Sequence, residues 1–585
     1  MITLRETATK LDVTGEKEEL DRLDADFRFR PNGYFYAPSY ERWRITDGAE
    51  GWDGWMRPLK RLSRTQAVIL RGRRDELIAL CQTHGFELNL TKLLPKPFSA
   101  VTVADIPPDI LQSSFLLDEF QRICVTSWLL YGIGINQVTV SGGKTAMFAA
   151  ATAMIKQKYG HARFLYLTPA ERLVRQVVRE MRKFLPTLDI GQFGGGHHES
   201  NAKDVVVCTV AMLNKHFSKL TEQGWFRTFH AVLYDEVHHC GSKSSEKILL
   251  GIPAYFRLGA SDSAKEDDPA RNAAMRGHFG NFLNEVKAAP LIERGRIAQP
   301  HIYVEDLCQH RNKFEDFGFR AQPNSPAWCL VDSRWVKGTY LGPVYEVDEE
   351  GNVKKRQRRV LEKVDGEIEE SIVEESIIES GRHRIKIAGE EHEIDSRWCL
   401  LQRAYDEAII RFRPRNDLIV KWARYFSSCG HPTIIVCTRT LHIYILEAAL
   451  KAAIDPSLVD ICFGWASPVQ RDEKFAWFRK TPGAVLITPL VKEGVSINEI
   501  KAGIVADYVG SWEVANQIVG RFIRKKVEGT DNWAEIVWFR DAQHPVLRRG
   551  GNSVLARIST ITGYVCYDPA PDVGQLLLPL GSKGA

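Results

Sequence analysis

The sequence predicts an α/β protein whose parallel sheets are covered by helices on both faces. Short continuous apolar segments, helical segments between them, and polar or glycine-rich residues directly after them support this prediction. The apolar segments are Arg163–Thr168, Asp204–Thr209 and Ala231–Asp235 in the first half of the chain, and Thr433–Cys437 and Val485–Thr488 in the second. Two such series predict two doubly wound domains, with ligand sites at the carboxyl ends of the strands.

The composition is that of a globular protein with several domains. The chain has 585 residues, 44% of them hydrophobic and 26% charged, so it can bury more than one core. A formal net charge of +5 permits a nucleic-acid partner without requiring one. The 11 cysteines include no C-x-x-C pair, which favours reduced thiols and a cytoplasmic location. We find neither a signal peptide in residues 1–15 nor an apolar run of membrane length, and expect no membrane partner.

Residues 1–97 are predicted to form a small α/β accessory domain. Thr65–Gly72 has the pattern of a strand, Arg74–His84 that of a helix, and Phe27–Arg30 alternates like a strand. Aromatic residues interleaved with arginines follow, namely Tyr34, Phe35, Tyr36, Tyr40, Trp43, Trp52 and Trp55. Such residues either stack on nucleic acid or form a core, and we assign nucleic-acid binding to this domain. The proline-rich segment Leu94–Pro108 is interpreted as a linker.

A phosphate-binding loop (the P-loop) is predicted where the turn-rich segment Tyr131–Asn136 leads towards an alanine-rich helix. The candidate residues are Ser141, Gly142, Gly143, Lys144 and Thr145. Backbone amides at a helix N-terminus bind phosphate oxygens, Lys144 reaches the β- and γ-phosphates, and the Thr145 hydroxyl can bind Mg²⁺. Val138 replaces the first glycine of the usual G-x-x-x-x-G-K-[ST] pattern, so the loop alone is weak evidence.

Asp235 and Glu236 supply the second half of the predicted ATP site. They follow a buried strand, where Asp235 can hold Mg²⁺ and Glu236 can accept a proton from the attacking water. Upstream of the P-loop, the Gln121 amide is a candidate for binding the adenine edge of ATP. Together with Lys144 these residues predict ATP hydrolysis that requires Mg²⁺.

The second half of the chain carries a candidate arginine motif. Gln517, Arg521 and Arg524 are spaced to share one helical face, and a guanidinium beside a γ-phosphate stabilises the transition state. Between the two halves, Val344–Trp398 has hairpin-like alternation, with a basic run at Lys354–Arg359. We interpret this segment as an inserted module and the basic run as a solvated face.

Taken together, these motifs resemble those of superfamily 2 helicases of the DExH type. Asp235-Glu236-Val237-His238 resembles the DExH box, Phe120-Gln121 the Q motif, Gln517–Arg524 motif VI, and Ser261-Asp262-Ser263 stands where the family has Ser-Ala-Thr. The resemblance implies two RecA-like domains and adds His238 and Gly494 to the ATP-binding residues. It also implies nucleic-acid contacts at Thr168, Pro169, Gly195, Thr209, Arg439 and Thr488.

Within that superfamily the chain resembles the bacteriophage UvsW helicase family, which has a small N-terminal α/β domain. The resemblance implies 3′-to-5′ action on branched, forked or single-stranded DNA in recombination, replication or repair, in a bacterial or phage-infected cell. Other recombination or replication proteins are candidate partners. An RNA helicase and the motor subunit of a restriction or defence complex are the alternatives.

The expected domain boundaries follow from these assignments. They are 1–97 for the accessory domain, 98–310 for the first RecA-like domain, 311–410 for the linker and inserted module, 411–545 for the second RecA-like domain and 546–585 for a C-terminal extension. His301–Glu305 is expected to complete the first sheet.

Overall fold

The computed structural model describes residues 1–585 except 33, 47, 49, 97, 195–196, 199–201, 263–267, 311–325, 332–333, 346–354, 365–366, 377, 388–389, 396–403, 490–499, 525–531, 569 and 571–585. Two compact units divide the chain, residues 1–297 and residues 298–585. Among the described residues, no helix combines the length and apolar character needed to cross a membrane.

A five-stranded sheet opens the first unit and confirms the small N-terminal α/β domain. Its strands, in spatial order, are Lys60–Arg61, Gln66–Leu70, Lys10–Thr14, Ile2–Glu6 and Leu88–Lys92. The helices are Lys17–Phe27, Pro38–Ile45 and Arg74–Thr83. Alternate residues along the strands are buried, as in a sheet with one covered face.

The strand predicted at Phe27–Arg30 is wrong, because Phe27 is the last residue of a helix. A capping box between Glu16 and Glu19 starts that helix, and Leu20, Leu23 and Phe27 form its buried face. Helical spacing of the apolar residues therefore outweighs the short alternation. Phe29 makes only an isolated bridge to Met56.

An eight-stranded sheet forms the core of the rest of the first unit. Its strands, in spatial order, are Phe282–Val286, Ile133–Val138, Phe256–Ser261, Ala231–Asp235, Phe164–Thr168, Val205–Thr209, Ile190–Gly194 and His197–His198. All pairs are parallel except the last. The helices are Glu119–Tyr131, Lys144–Lys158, Glu171–Phe184, Val210–Lys215, Phe217–Glu222, Lys243–Gly251, Pro269–Phe279 and Ala288–Glu293. The predicted doubly wound architecture is confirmed.

The segment Tyr131–Asn136, predicted to be rich in turns, is mostly strand. Gly132 ends a helix with φ +68°, but Gly134 lies inside the strand Ile133–Val138. A Cβ atom on Gly134 would lie 2.2 Å from the Leu283 side chain, so this glycine allows a close approach of the neighbouring strand rather than a turn.

A seven-stranded, all-parallel sheet forms the core of the second unit. Its strands, in spatial order, are Val459–Ile461, Val485–Thr488, Thr433–Val436, Ala502–Val505, Trp533–Arg540, Gln299–Asp306 and Val565–Tyr567. The helices are Arg413–Ser428, Thr440–Ala453, Pro468–Lys480, Trp512–Phe522 and Pro545–Ser559. The second predicted doubly wound domain is confirmed.

Three expectations about sheet edges and boundaries differ from the structure. His301–Glu305 lies in the second sheet, paired with residues of Trp533–Arg540, and the first unit ends at residue 297 rather than 310. The predicted C-terminal extension contributes most of the helix Pro545–Ser559 and the edge strand Val565–Tyr567. Apolar patterning identifies a strand, but it does not reveal which distant strand will pair with it.

Antiparallel strands form the inserted module, which begins before the predicted Val344, because its first two strands are Pro326–Val331 and Arg334–Tyr345. Four of them make one sheet, in the order Pro326–Val331, Arg334–Tyr345, Ile378–Ile387 and Glu390–Asp395. The other two, Lys355–Val364 and Glu367–Ser376, form a hairpin. The basic strand therefore pairs with the acidic one, and Arg356 stands opposite Glu375 in the register.

Candidate active site

The P-loop joins the strand Ile133–Val138 to the helix that begins at Lys144. Ser141 and Gly143 have left-handed backbone angles, with φ of +65° and +83°, and the Gly142 amide donates to the Thr139 carbonyl at 3.0 Å. These angles turn the chain tightly at the helix N-terminus, where amide groups bind anions. The predicted residues Ser141, Gly142, Gly143, Lys144 and Thr145 thus lie in one continuous turn and helix start.

Val138 is compatible with this loop. It is the last residue of the strand, pairs with Val286 and is fully buried. A Cβ atom on Gly142 would lie 2.5 Å from the Val138 side chain, so the residue in need of a small side chain is Gly142. The departure from the usual pattern therefore falls at an extended, buried position.

Gln121 supports the P-loop. Its Oε1 atom accepts from the Asp118 amide at 2.9 Å, and its Nε2 atom donates to the Gly142 carbonyl at 3.0 Å. The side chain is buried, and a Cβ atom on Gly143 would lie 2.3 Å from Nε2. Both polar atoms of Gln121 thus bind the chain, and its adenine contact stays a prediction.

The DExH box begins at the carboxyl end of the strand Ala231–Asp235. Glu236 is left-handed, with φ +52°, and the Lys144 Nζ atom lies 2.5 Å from its Oε1 atom. Only the strand Phe256–Ser261 separates the two motif-bearing strands in the sheet, and parallel strands end at the same edge. The predicted residues Lys144, Asp235 and Glu236 are therefore brought together.

A chain of hydrogen bonds fixes the other oxygen of Glu236. The Ser261 hydroxyl donates to Oε2 at 3.0 Å, and its oxygen lies 2.7 Å from Nδ1 of His238. Because the single hydroxyl proton is directed at Glu236, the His238 ring must donate through Nδ1–H. His238 thus orients Ser261, which in turn orients Glu236. The sequence indicates Ser261 only as part of a motif.

Nearby charges set the ionisation of the site. Burial would lower the pKa of Lys144, but the carboxylates of Glu236, Asp262 and Asp235 outweigh it and raise that pKa. Burial raises the pKa of Asp235 above its usual range. Burial would also raise the pKa of Glu236, but the Lys144 ammonium outweighs it and lowers that pKa below its usual range. Glu236 is therefore the carboxylate form that a general base requires.

Tyr166 and Asp262 complete the surroundings. The Tyr166 hydroxyl lies 3.4 Å from Oδ2 of Asp235. In the sequence, a place in the ATP site is indicated for Tyr166 only by its position two residues before Thr168 on a buried strand. Asp262 stands where the helicase family has alanine, and its carboxylate lies within 4.8 Å of ligand atoms of Glu236 and His238. The site therefore carries one more negative charge than the family motif implies.

The donor set fits a nucleotide with a divalent cation. Thr145 offers a hydroxyl and Asp235 a half-buried carboxylate, the oxygen ligands that Mg²⁺ prefers. Lys144 and the amides of the P-loop suit phosphate oxygens.

The residues predicted to contact nucleic acid differ in exposure. The Thr168 hydroxyl donates to the Ala170 carbonyl at 2.9 Å, and the Thr488 hydroxyl donates to the Cys462 carbonyl at 2.8 Å. The Thr209 hydroxyl caps a helix by accepting from the Met212 amide at 3.2 Å. All three are buried, whereas Pro169 and Arg439 are exposed. Gly195 and Gly494 lie outside the described residues.

The arginine motif is only partly helical. Gln517 and Arg521 lie on the helix Trp512–Phe522, but that helix ends before Arg524. The shared face predicted for Gln517, Arg521 and Arg524 therefore holds for the first two residues only. Ile523 has ψ +11° as the C-terminal cap, and this turn takes Arg524 out of helical register.

Known proteins resemble this chain in family pattern, sequence and structure. A family model described as "Type III restriction enzyme, res subunit" matches residues 134–261. The chain is 25% identical over 166 residues to "DNA 3'-5' translocase XPB2" of Sulfurisphaera tokodaii, across 28% of this chain and 35% of that protein. It is 26% identical over 166 residues to "DExH-box ATP-dependent RNA helicase DExH15 chloroplastic" of Arabidopsis thaliana, across 27% of this chain and 14% of that protein.

The chain therefore spans well under half the length of either curated relative. Among solved structures, the crystal structure of T4 UvsW is similar over 97% of this chain and 98% of that chain, with 15% identity and a TM-score of 0.40. The family match runs from the P-loop strand to Ser261 and so includes the P-loop and the DExH box described above. Over the segment that carries these two motifs, the chain is therefore similar to the family that this model describes.

Proposed function

We propose that this protein is an ATP-dependent DNA helicase or translocase that unwinds or branch-migrates branched DNA, moving 3′ to 5′, in phage-type recombination, replication or repair. The observation that carries the enzymatic part is the contact of Lys144 with Glu236 beside the half-buried Asp235. This is a phosphate-binding cation paired with a general base, and binding of a nucleotide would draw the cation away.

Each residue of the site has a defined task in this proposal. Thr145 and Asp235 would hold Mg²⁺, which supplies neutralisation of phosphate charge when bound. Lys144 exchanges Glu236 for a phosphate oxygen, and Oε1 of Glu236 then accepts the proton of the attacking water. Ser261 keeps Oε2 hydrogen-bonded throughout, so the base stays oriented after Lys144 has left it.

The second unit would supply the remaining charge. We assign to Arg521 and Arg524 the stabilisation of negative charge on the transferred phosphoryl group, the role of an arginine finger. Arg521 projects from a helix whose buried residues include Ala515, Ile518 and Val519, so its backbone position is fixed. Gly494 is assigned to the same ATP-binding set from its motif alone.

One observation supports DNA as the substrate and a second supports nucleic acid in general. The relative from Sulfurisphaera tokodaii is described as a 3′-to-5′ DNA translocase. In the N-terminal domain, the exposed Arg28 and Arg30 each place a guanidinium 4.7 Å from the centre of the Trp55 ring. This cationic cluster suits backbone phosphates, which position nucleic acid without reading its sequence.

ATPase stimulation by different nucleic acids tests the proposal. Forked DNA should stimulate hydrolysis more strongly than single-stranded DNA, duplex DNA or RNA of matched length. Equal or stronger stimulation by RNA would favour an RNA helicase, the activity named for the Arabidopsis relative. No stimulation until a second protein is added would favour a motor subunit of a restriction or defence complex; the matched family model is described as a subunit of a type III restriction enzyme.

A further inference from the structure

Two stacked aromatic rings stand on the surface of the second unit. Phe463 and Trp465 follow the strand Val459–Ile461, with ring centres 4.2 Å apart and ring planes 10° from parallel. Trp465 is 69% exposed, so one face of its indole rests on Phe463 and the opposite face is open to solvent. An exposed tryptophan held in a stack contributes little to the core and is available to a ligand.

A third aromatic ring extends this surface. The Tyr444 ring lies 5.6 Å from that of Phe463 and is 50% exposed. Single exposed apolar residues are ordinary on a protein surface, whereas a contiguous group marks a binding surface. Three aromatic rings in succession favour a planar ligand.

Hydrogen bonds hold the loop that carries Trp465. The Arg471 guanidinium donates to the carbonyl of Gly464. Ser467 and Gln470 form a capping box at the start of the next helix, with bonds of 3.0 and 3.3 Å. The loop that carries the indole is therefore held in place by hydrogen bonds, so less conformational entropy is lost on binding.

An open cavity of about 590 Å³ adjoins the stack. Its lining includes Phe463, Trp465, Gln470, Lys474 and Trp477. The Lys474 ammonium lies 2.6 Å from both carboxylate oxygens of Asp460. The cavity thus combines aromatic walls with a polar rim, the chemistry that suits a nucleobase with its ring faces and hydrogen-bonding edge.

The stack also lies at the carboxyl edge of the sheet, where ligand sites of parallel sheets are found. Phe463 and Trp465 follow one parallel strand, and the exposed Arg439 follows Thr433–Val436, two strands away in the same sheet. Loops after parallel strands share the carboxyl edge. A cation that can contact phosphate and a ring that can contact a base therefore lie along one edge of the second unit.

We propose that the open face of Trp465 is a stacking platform for a base of a single-stranded nucleic acid, with Phe463 as its support. The proposal rests on the nucleic-acid motor function proposed above and adds a base contact to it. Stacking on a ring is tolerant of sequence, because every base has an aromatic face. Such a site lets a translocase hold a strand without reading it.

Strand binding by the full chain tests this platform. Fluorescence anisotropy would compare a labelled oligothymidylate with an abasic strand of equal length at one salt concentration. Trp465→Ala should weaken oligothymidylate binding about 5- to 100-fold and leave the abasic strand unchanged. Trp465→Phe should restore most of the affinity, and Val469→Ala, at another exposed apolar position, should match the unsubstituted protein.

Two results would overturn the platform alone. One is unchanged oligothymidylate binding by Trp465→Ala; the other is an equal loss for both strands, which would mean a contact with the backbone or with protein. A third result is distinguishable from these. If the unsubstituted protein binds neither strand and its ATPase is not stimulated by any nucleic acid, the motor function itself is wrong, and the platform with it.

Discussion

The guanidinium of Arg71, in the N-terminal domain, donates a 2.6 Å hydrogen bond to the carbonyl of Tyr255 and stacks 4.6 Å from the centre of its ring. Arg71 is 2% exposed and also bonds the fully buried carboxylate of Glu6 at 2.8 Å. Tyr255 directly precedes the strand Phe256–Ser261, which ends at the ATP site. A buried arginine that pairs with Glu6 of its own domain therefore also holds the N-terminal domain against the segment that leads into the neighbouring sheet, through the carbonyl and the ring of Tyr255.

Arg71→Ala should destabilise the first unit by about 3–5 kcal/mol, because it leaves the Glu6 carboxylate buried with a single arginine, Arg74, at 3.4 Å. Denaturant unfolding measures the loss. The exposed Arg64 provides the control, and Arg64→Ala should change stability by less than about 0.5 kcal/mol. Equal stabilities for the two variants would mean that the Arg71 contact does not join the domains.

Gly72→Ala should also destabilise this junction. A Cβ atom on Gly72 would lie 2.1 Å from the carbonyl oxygen of Arg276 and 2.5 Å from the amide nitrogen of Gly280. Backbone atoms cannot move aside cheaply, so we expect a loss of about 1–3 kcal/mol in thermal or denaturant unfolding. Gly160→Ala is the matched control, since no atom lies within 4 Å of its added Cβ; a similar loss there would contradict the steric explanation.

Glu236→Gln should retain nucleotide binding and lose turnover by roughly 10²- to 10⁴-fold, because an amide cannot accept the proton of water. Binding of a fluorescent ATP analogue and single-turnover hydrolysis would separate the two effects. Glu246→Gln, at an exposed carboxylate on the helix after the DExH box, should hydrolyse ATP at the unsubstituted rate. Full activity of Glu236→Gln would remove Glu236 as the base.

Local patterns predicted the parts of this site that lie close together in sequence. Glycines before Lys144 and carboxylates after a buried strand were sufficient to predict the P-loop and the DExH box. The hydrogen bond from Ser261 to Glu236 and the contact of Arg71 with Tyr255 join residues 25 and 184 positions apart. Such contacts depend on sheet order and domain packing, which a single sequence does not display.

The remaining errors have the same physical origin. Gly134 fits the pattern of a turn residue because glycine serves both turns and close packing, and only the Leu283 side chain distinguishes the two. Arg524 has correct spacing for a helical face, yet the helix ends at Phe522. Capping and tertiary contacts determine where a helix or strand ends, and residue spacing does not reveal them.

Acidic conditions should destabilise the second unit through His442. Burial first, and then the nearby Arg415 charge, lower the pKa of His442 to about 4, and its Nε2 atom lies 2.9 Å from Oδ1 of Asn416. The unfolded chain binds a proton below about pH 6.5, whereas the folded chain does so only below about pH 4. Protons therefore favour unfolding, and stability falls as pH decreases from 6.5 to 4.

Denaturant unfolding at pH 7 and pH 4.5 measures this effect. Linkage predicts that His442 accounts for about 2.5 kcal/mol of the difference. His442→Gln keeps a hydrogen-bonding side chain that does not titrate, so its loss between the two pH values should be smaller by that amount. An identical pH dependence in the two proteins would show that His442 is not a source of acid sensitivity.

The strand register shows where the inserted hairpin can be removed. Tyr345 and Ile378 are partners in the antiparallel pair formed by Arg334–Tyr345 and Ile378–Ile387. The hairpin Lys355–Ser376 is connected between these two paired ends. An Asn-Gly turn that joins Tyr345 directly to Ile378 would close the same pair, because two-residue turns connect antiparallel strands with the twist they require.

Replacement of residues 346–377 by Asn-Gly should leave basal ATPase activity within about twofold of the unsubstituted rate, because the hairpin contains none of the ATP-site motifs and surface loops tolerate change. The basic run Lys354–Arg359 is removed with it. If this run is only a solvated face paired with the acidic strand, the salt dependence of DNA binding should stay the same. If the run binds DNA phosphates, the slope of log affinity against log salt concentration should become smaller. For single-stranded DNA the decrease should be roughly 0.7 for each phosphate that is no longer neutralised. Circular dichroism would establish that the shortened protein is folded. A folded protein without basal ATPase would show that the hairpin belongs to the motor.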